Sequence, residues 1–364
     1  MGGAYLVGFD VGGTKLSLMI ADRAGRIITK LREETDTAAA HFAEYKGGLA
    51  YLGLGAQMVR LLRQARDEAG GEIAAIGIGT AGPLKEGDIY NSTNIKLTNL
   101  PRDAADKPLY IPLVGPLKEE FDLPIRLEND CNTAVLGEVH YGVGKETEDK
   151  HDLYLVYVTL STGLGAGVWD GGHLLTGKQG NAAEVGHFFV KENGLKCGCG
   201  NYGCAEAYCS GRGIAKNARM KLINEDLRPE ENYGSIILRL AQQKASSSRF
   251  QVPGSKWRLL ESITAPLVFQ AAEVGDRLAQ EVIDEACYYG GIALADIANA
   301  YDPKIITVGG ALALEHPEIL APLREEMLKH LNVEPPEVLL TPLGEEAVLF
   351  GALALAREAA GHHG

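Results

Sequence analysis

Three cysteines within eight residues are the feature that most constrains how this chain can fold: Cys197, Cys199 and Cys204. Glycines separate them, and His187 lies ten residues before the first of them. Three thiolates and one imidazole can fill a tetrahedral zinc site with no open position, which makes such a metal structural. The spacing therefore predicts a zinc site that holds the surrounding loops in place.

Disulfide bonds are the alternative interpretation, because the sequence contains six cysteines in all. The chain begins without a basic and apolar leader segment, so we expect a cytoplasmic protein. In that reducing compartment, clustered cysteines bind metals or perform redox chemistry more often than they form disulfides. We interpret Cys131, Cys209 and Cys287 as ordinary buried thiols. Cys209 is a substitute ligand in case His187 does not reach the metal.

Length and composition indicate a globular protein with two domains. The chain has 364 residues, of which 46% are hydrophobic and 23% are charged, and such values are typical of globular proteins. No apolar run reaches the roughly 18–20 residues that a membrane helix needs. The net charge of −13 argues against a nucleic-acid partner, which would require a basic surface. We therefore expect neither a membrane nor a nucleic acid as a partner.

The pattern of apolar residues predicts α/β structure. The chain opens with two strands at residues 5–10 and 15–21, joined by a tight glycine turn, which is typical of a hairpin. Helical periodicity covers residues 45–69 and 266–300. A polar stretch at residues 224–257 indicates an insertion. Strands and helices therefore occur in both halves of the chain.

Two glycine turns that follow strands are candidate phosphate-binding loops. Successive backbone N–H groups without side chains in the way form a concavity that binds anions. The candidate residues are Gly12, Gly13 and Thr14 in the first turn, Thr162, Gly163 and Gly165 in the second, and Gly309 and Gly310 after a later strand. Each could instead be an ordinary hairpin turn. Their occurrence in two α/β halves favours a nucleotide held between two domains.

Charged and hydroxyl side chains next to these turns suit a nucleotide. Thr14 and Thr162 add hydroxyl donors, and Lys15 would add a positive charge. Asp10 would hold a magnesium ion through water, since Mg²⁺ uses few protein carboxylates. Neither turn has the Walker A pattern. We therefore predict a nucleotide site of another kind.

Five motifs, in this order, resemble those of the ROK family of repressors, open-reading-frame proteins and sugar kinases. They lie at residues 10–15, 128–132, 161–165, 184–187 and 197–206. The last of these resembles the zinc stretch of the family's glucokinases and hexokinases. The resemblance covers most of the chain except the insertion at residues 224–257.

The resemblance implies the actin-like fold of sugar kinases and heat-shock ATPases, in which two α/β domains surround a cleft. We expect a small N-terminal α/β domain formed by residues 1–129 plus 345–364. Residues 130–344 would form a large C-terminal α/β domain that carries the zinc loop. The relatives are commonly dimers or tetramers, so the resemblance also implies a homo-oligomer.

The activity that the resemblance implies is that of an ATP-dependent hexokinase, which transfers the γ-phosphoryl group of ATP to the 6-hydroxyl of a hexose. Glucose is the expected substrate, with Mg²⁺ as the catalytic cofactor. An N-acetylhexosamine (N-acetylmannosamine or N-acetylglucosamine) or fructose is the alternative substrate. A non-catalytic sugar-sensing protein or a repressor relative is a more remote alternative.

The resemblance also assigns roles to site residues. Asp130 is the expected base for the sugar hydroxyl, although an aspartate there could instead only cap the helix that follows. The expected sugar-binding residues are Gly82, Asn94, Asn129, Asp130, Glu184, His187 and Glu206. His187 would bind zinc with one ring nitrogen and a hydroxyl with the other. Two departures from the family are Ser161, where relatives have glycine, and a longer loop after Asn94.

Overall fold

The computed structural model describes residues 4–38, 41–91, 95–97, 107–224, 233–247 and 256–361. Asn94, most of the loop after it and residues 225–232 and 248–255 of the predicted insertion lie outside the described residues. The strands are β1 (Tyr5–Val11), β2 (Lys15–Ala21), β3 (Ile27–Glu34), β4 (Phe42–Tyr45), β5 (Gly48–Tyr51), β6 (Ile73–Thr80), β7 (Leu84–Lys85), β8 (Asp88–Tyr90), β9 (Leu109–Pro112), β10 (Ile125–Asn129), β11 (Tyr154–Leu160), β12 (Leu164–Asp170), β13 (His173–Leu174), β14 (Ile305–Gly309) and β15 (Glu337–Leu340).

The α-helices complete the inventory of the described chain. They are α1 (Gly53–Ala69), α2 (Val114–Phe121), α3 (Asp130–His140), α4 (Glu206–Cys209), α5 (Gly211–Asn224), α6 (Ser235–Ser247), α7 (Lys256–Glu261), α8 (Ala265–Glu273), α9 (Arg277–Tyr301), α10 (Ala311–Glu315), α11 (Leu320–Leu328) and α12 (Ala347–Gly361). None of the helices in the described ranges is long and apolar enough to span a membrane.

Contacts divide the chain into two compact units. Unit 1 comprises residues 1–157, 167–183 and 341–364, and unit 2 comprises residues 158–166 and 184–340. The C-terminal helix α12 thus groups with the N-terminal strands, and so does α3. The domain boundaries expected from the sequence, 1–129 plus 345–364 and 130–344, stay a prediction.

The main sheet of unit 1 has the strand order β10-β6-β1-β2-β3. β1 and β2 form the predicted antiparallel hairpin, whereas β1, β6 and β10 run parallel. The carboxyl ends of parallel strands meet at the same edge of a sheet, so residues near those ends become neighbours. Asp10 of β1 lies opposite Gly79 of β6, and Asn129 of β10 lies opposite Thr80. A second sheet in unit 1 has the order β4-β5-β9-β8-β7.

Helix α12 packs unusually close to the main sheet. A Cβ added to Gly77 of β6 would lie only 1.9 Å from the backbone oxygen of Ala352. Leu349 and Leu353 of α12 are buried in one cluster with Leu6 and Met19 of the hairpin. Glycine at position 77 therefore allows helix and sheet to approach, and burial of these apolar side chains stabilises the contact.

The remaining sheet has the order β13-β12-β11-β14-β15, and β14 and β15 run parallel. In unit 2, helices α4, α5, α8 and α11 pack against the long helix α9. These helices bury a mainly aliphatic core. The α/β class predicted from the sequence is confirmed.

The helix predicted at residues 45–69 is wrong over its first third. β4 and β5 occupy that part, and α1 begins only at Gly53. Lys46 and Gly47 have φ values of +47° and +75°, a left-handed conformation that closes the hairpin between the two strands. The rings of Phe42 and Tyr51 pack 5.3 Å apart across it. Apolar periodicity misleads here because short strands and a helix can share the same spacing.

The helix predicted at residues 266–300 is two helices, α8 and α9. Gly275 between them has a φ of +90°, which ends the first helix. The carboxylate of Asp276 then caps the second by accepting hydrogen bonds from the N–H groups of Leu278 and Ala279. It also accepts from three N–H groups at the start of α6. A single buried aspartate therefore fixes the break.

Candidate active site

The parallel edge of unit 1 gathers four of the predicted site residues. Asp10 is near the end of β1, and Gly82 follows β6. Asn129 ends β10, and Asp130 begins α3 directly after it. A Cβ added to Gly82 would lie 3.9 Å from the side-chain nitrogen of Asn129. The structure therefore places these predicted substrate- and metal-binding residues together, while Asn94 lies outside the described residues.

Asn129, rather than Asp130, is the N-cap of α3. Its Oδ1 accepts hydrogen bonds from the N–H groups of Cys131, at 2.9 Å, and Asn132, at 3.4 Å. Asp130 occupies the first helical position, and its Oδ1 also accepts from the Cys131 N–H at 2.9 Å. A capping asparagine fixes the direction of the first turn, so it also holds the Asp130 carboxyl group in place.

Two carboxyl groups share this edge of unit 1. Burial raises the pKa of Asp10 from 3.8 to about 7, and the nearby charge of Asp130 acts in the same direction. Arg32 and Lys15 oppose that rise. Burial also raises the pKa of Asp130, against the hydrogen bond from Cys131. Two neighbouring carboxyl groups with raised pKa values are typical of sites for acid–base chemistry or cation binding.

The first glycine turn has a fixed shape. The N–H of Gly12 donates to the carbonyl of Lys15 at 2.9 Å, and the hydroxyl of the buried Thr35 donates to the Gly12 carbonyl at 2.7 Å. The Thr35 N–H donates to the carbonyl of Thr14 at 3.1 Å. Thr14 and Lys15 themselves are exposed. The turn is therefore held by Thr35, the residue that follows β3, and its tip is accessible to a ligand.

Arg32 is a charged neighbour of this site that the sequence analysis missed. It lies on β3 opposite Ser17, and its guanidinium binds the carboxylate of Glu345 at 2.9 Å. The β-branched and apolar residues between Ile27 and Leu31 were the available signal, since they favour a strand that would pair with the hairpin. Only the sheet order brings Arg32 within electrostatic range of Asp10.

The cysteine cluster of unit 2 has the geometry of a tetrahedral metal site. One ligand atom from each of His187, Cys197, Cys199 and Cys204 lies within 4.8 Å of the others. The Sγ atoms of Cys199 and Cys204 are 3.8 Å apart, and Cys197 Sγ is 3.7 Å from His187 Nδ1. Ligands at Zn–S distances of about 2.3 Å in a tetrahedron are separated by about 3.8 Å. The donor set therefore fits zinc.

His187 connects this cluster to a second polar group. It ends the short 3-10 helix Val185–His187, and its Nε2 lies 4.0 Å from the carboxylate of Glu184. The ring thus directs Nδ1 to the cysteines and Nε2 to the opposite side. Cys209 is buried and its thiol donates to the carbonyl of Ala205, so it is not part of the cluster. Cys131 and Cys287 are also buried, as predicted.

The second glycine turn, residues 161–165, is anchored at several points in unit 2. The Ser161 N–H donates to the Gly163 carbonyl at 3.0 Å, and the N–H groups of Gly211 and Arg212 donate to the carbonyls of Ser161 and Thr162. The end of β14 adjoins it, because a Cβ added to Gly310 would lie 2.5 Å from the carbonyl oxygen of Leu160. The structure therefore brings together the predicted groups Thr162 to Gly165 and Gly309 to Gly310.

A cavity of about 840 Å³ opens next to this turn. Ser161 and Thr162 form part of its wall, and the rest comes from residues 196–198 of the cysteine loop and from α4, α5, α8, α10 and the residues beside these helices. The wall is mainly small and apolar, with basic side chains that include Arg212 and Lys216. Its size suits a nucleoside, since ligand pockets typically measure about 300–1,000 Å³. The sequence analysis missed the part of this wall formed by α5, α8 and α10, because its residues come from separate helices.

Comparisons with known proteins identify the family. The profile of the ROK family matches residues 6–359. A glucokinase of Streptomyces coelicolor is 31% identical over 362 residues, which cover 97% of each chain. The solved structure of a ROK hexokinase from Thermus thermophilus is 28% identical with a TM-score of 0.70, covering 98% of this chain and 99% of the other.

A second solved structure is that of a ROK family glucokinase from Streptomyces griseus in complex with glucose and AMPPNP. It is 29% identical with a TM-score of 0.66 and covers 98% of this chain and all of the other. These likenesses confirm the predicted actin-like fold of sugar kinases. The chain belongs to the ROK family.

Proposed function

We propose that this protein is an ATP-dependent hexokinase that transfers the γ-phosphoryl group of ATP to the 6-hydroxyl of glucose. The observation that carries the proposal is the strand edge at which Asp10, Asn129 and Asp130 meet. Phosphoryl transfer depends on positioning and charge stabilisation more than on covalent chemistry. The likeness to glucokinases over nearly the whole chain supports ATP as the donor and glucose as the acceptor.

Asp130 is the proposed general base. Its carboxyl group would accept the proton of the 6-hydroxyl as this oxygen attacks the γ-phosphorus. Burial raises its pKa, which brings the group closer to the operating pH, where a base is most effective. The hydrogen bond from the Cys131 N–H keeps the carboxyl group oriented while the sugar binds.

The nucleotide is proposed to bind with its nucleoside in the cavity of unit 2. The N–H groups and hydroxyl of the second turn, at Thr162, Gly163 and Gly165, would contact its phosphates together with Gly309 and Gly310. The first turn would add Gly12, Gly13, Thr14 and Lys15 as further phosphate donors. Magnesium held by Asp10 through water would supply charge neutralisation for the transferred group.

The sugar is proposed to contact Asn129, Asp130, Glu184, His187 and Glu206. Gly82 would allow the sugar to approach the backbone closely, and Asn94 keeps its sugar-binding role as a prediction.

Zinc held by His187, Cys197, Cys199 and Cys204 would be structural, because protein side chains fill all four coordination positions of the metal. His187 Nε2 faces away from the cysteines and would orient a sugar hydroxyl. A cytoplasmic location and a homo-oligomer remain predictions.

A coupled assay of ADP release over a panel of hexoses tests the proposal. We expect turnover with glucose, and less with N-acetylmannosamine, N-acetylglucosamine and fructose. Asp130→Asn should lower kcat by about 10²–10⁴-fold, as expected for loss of a general base, and should leave glucose binding intact. Asp122→Asn, at an exposed helix end, is the matched control and should keep full activity. Absence of turnover with every sugar and ATP would exclude the proposal.

A further inference from the structure

One side chain holds the second glycine turn, residues 161–165, which we call the phosphate turn. Backbone groups fix its start, where Gly211 and Arg212 donate to its carbonyls. At its end, the N–H of Leu164 donates to Glu206 Oε2 at 3.2 Å. The Ser161 N–H is bound inside the turn. None of these hydrogen bonds uses the N–H groups of Thr162 and Gly163.

The Glu206 carboxylate lies between the phosphate turn and the cysteine cluster. Its Oε1 is 3.6 Å from Cys197 Sγ, while Oε2 binds Leu164. Glu206 begins α4, and its backbone carbonyl accepts a hydrogen bond from the Ser210 hydroxyl at 2.7 Å. Oε2 is therefore engaged by the phosphate turn before any sugar arrives, while Oε1 lies beside the cysteine cluster.

Gly163 gives independent support for this arrangement. It does not have the left-handed φ that favours glycine, so its backbone would accept a side chain. A Cβ at this position would nevertheless lie 2.7 Å from Glu206 Oε2, and among the described residues the atoms that it would meet within 4 Å, apart from its chain neighbours, belong to Glu206. A side chain at this position would therefore displace the carboxylate from the phosphate turn.

We propose that Glu206 is a positioning residue for the donor nucleotide: by holding the Leu164 N–H, it keeps the N–H groups of Thr162 and Gly163 directed at the phosphates. The inference rests on the proposed function, because it takes ATP as the donor. It goes beyond the sugar contact expected for Glu206, since the effect on nucleotide binding needs no sugar. The same carboxylate lies between the cysteine cluster and the phosphate turn, with Oε1 3.6 Å from Cys197 Sγ.

The test is the affinity for Mg²⁺–AMPPNP in the absence of sugar, measured by calorimetry. Glu206→Ala should weaken binding about tenfold or more, the usual effect of losing a hydrogen bond to a charged group. Glu206→Gln should restore affinity to within about threefold of the wild type, because its amide oxygen still accepts from Leu164. Glu273→Ala is the control. This side chain is exposed at the end of α8 and does not line the cavity, so nucleotide affinity should not change.

A double-mutant cycle tests the contact itself. Gly163→Ala should weaken AMPPNP binding, since its methyl group displaces the carboxylate. The same change in the Glu206→Ala background should have no further effect, because the clashing oxygen is absent. Zinc content and thermal unfolding are measured for each variant. If Glu206→Ala fails to fold, Gly163→Ala alone should still weaken AMPPNP binding with zinc content unchanged.

The inference is overturned if Glu206→Ala binds AMPPNP as tightly as the wild type and only the KM for glucose rises, since the carboxylate would then serve the sugar alone. It is also overturned if Gly163→Ala is equally harmful in both backgrounds, or if it leaves AMPPNP affinity unchanged. Failure of the proposed function has a different signature. In that case the wild type itself neither binds AMPPNP nor phosphorylates a hexose.

Discussion

Replacing Asp10 with asparagine should stabilise the protein at alkaline pH although it harms activity. The pKa of Asp10 rises from 3.8 to about 7 on folding, mainly because of burial. Each pH unit between folded and unfolded pKa is worth about 1.4 kcal/mol, so the charged carboxylate costs the folded state up to about 4 kcal/mol. Asparagine has a similar shape and carries no charge, and we expect it to recover about half of that amount.

The pH at which Asp10 loses its proton decides whether the variant is more or less stable than the wild type. The folded state binds the Asp10 proton more tightly than the unfolded state. The resulting stabilisation is fully present below pH 3.8, is lost as the pH rises towards 7, and is absent above that value. The variant should therefore be more stable than the wild type at pH 8, and the difference should shrink towards pH 4.

Differential scanning calorimetry at pH 4.5, 6 and 8 measures the effect. The Tm of Asp10→Asn should exceed that of the wild type by several degrees at pH 8, on the usual scale of about 2–4 °C per kcal/mol. Asp122→Asn changes an exposed carboxylate and should shift the Tm little at any pH. An Asp10→Asn protein that is less stable than the wild type at pH 8 would refute the reasoning.

Two further changes test the metal site and the helix–sheet contact. Cys204→Ser should abolish zinc binding, measured by elemental analysis, and lower the Tm, because metal binding contributes to folding; Cys287→Ser, outside the cluster, should keep its zinc. Gly77→Ala should destabilise by about 1–3 kcal/mol in urea unfolding, because its methyl group would lie 1.9 Å from the carbonyl of Ala352. Gly115→Ala in an exposed, open part of α2 should instead stabilise by about 0.5–1 kcal/mol. Full zinc content in the first variant, or unchanged stability in the second, would contradict these expectations.

Local sequence patterns predicted the parts of the site that depend on neighbouring residues. The glycine turns, the strand before Asn129 and the cysteine spacing each require only a short segment, and the structure contains all of them. Glu184 and His187, three residues apart, also lie on one side of a helical turn as expected. Such features follow from backbone geometry and ligand chemistry alone.

Long-range packing could not be predicted in the same way. The break at Gly275 depends on Asp276 binding the start of α6, about 40 residues earlier. Arg32 comes near Asp10 only through the sheet order. The anchor of the phosphate turn at Glu206 joins segments 42 residues apart. Each depends on which distant segments meet, and periodicity carries no information about that.

The position of α12 has a consequence for biosynthesis. Its buried leucines, Leu349 and Leu353, complete the apolar cluster around Leu6 and Met19. A ribosome releases the chain from the N-terminus, so the hairpin emerges long before the helix that covers it. Unit 1 can then reach its final packing only after α12 has left the ribosome, and until that point the hairpin exposes apolar surface to which chaperones bind.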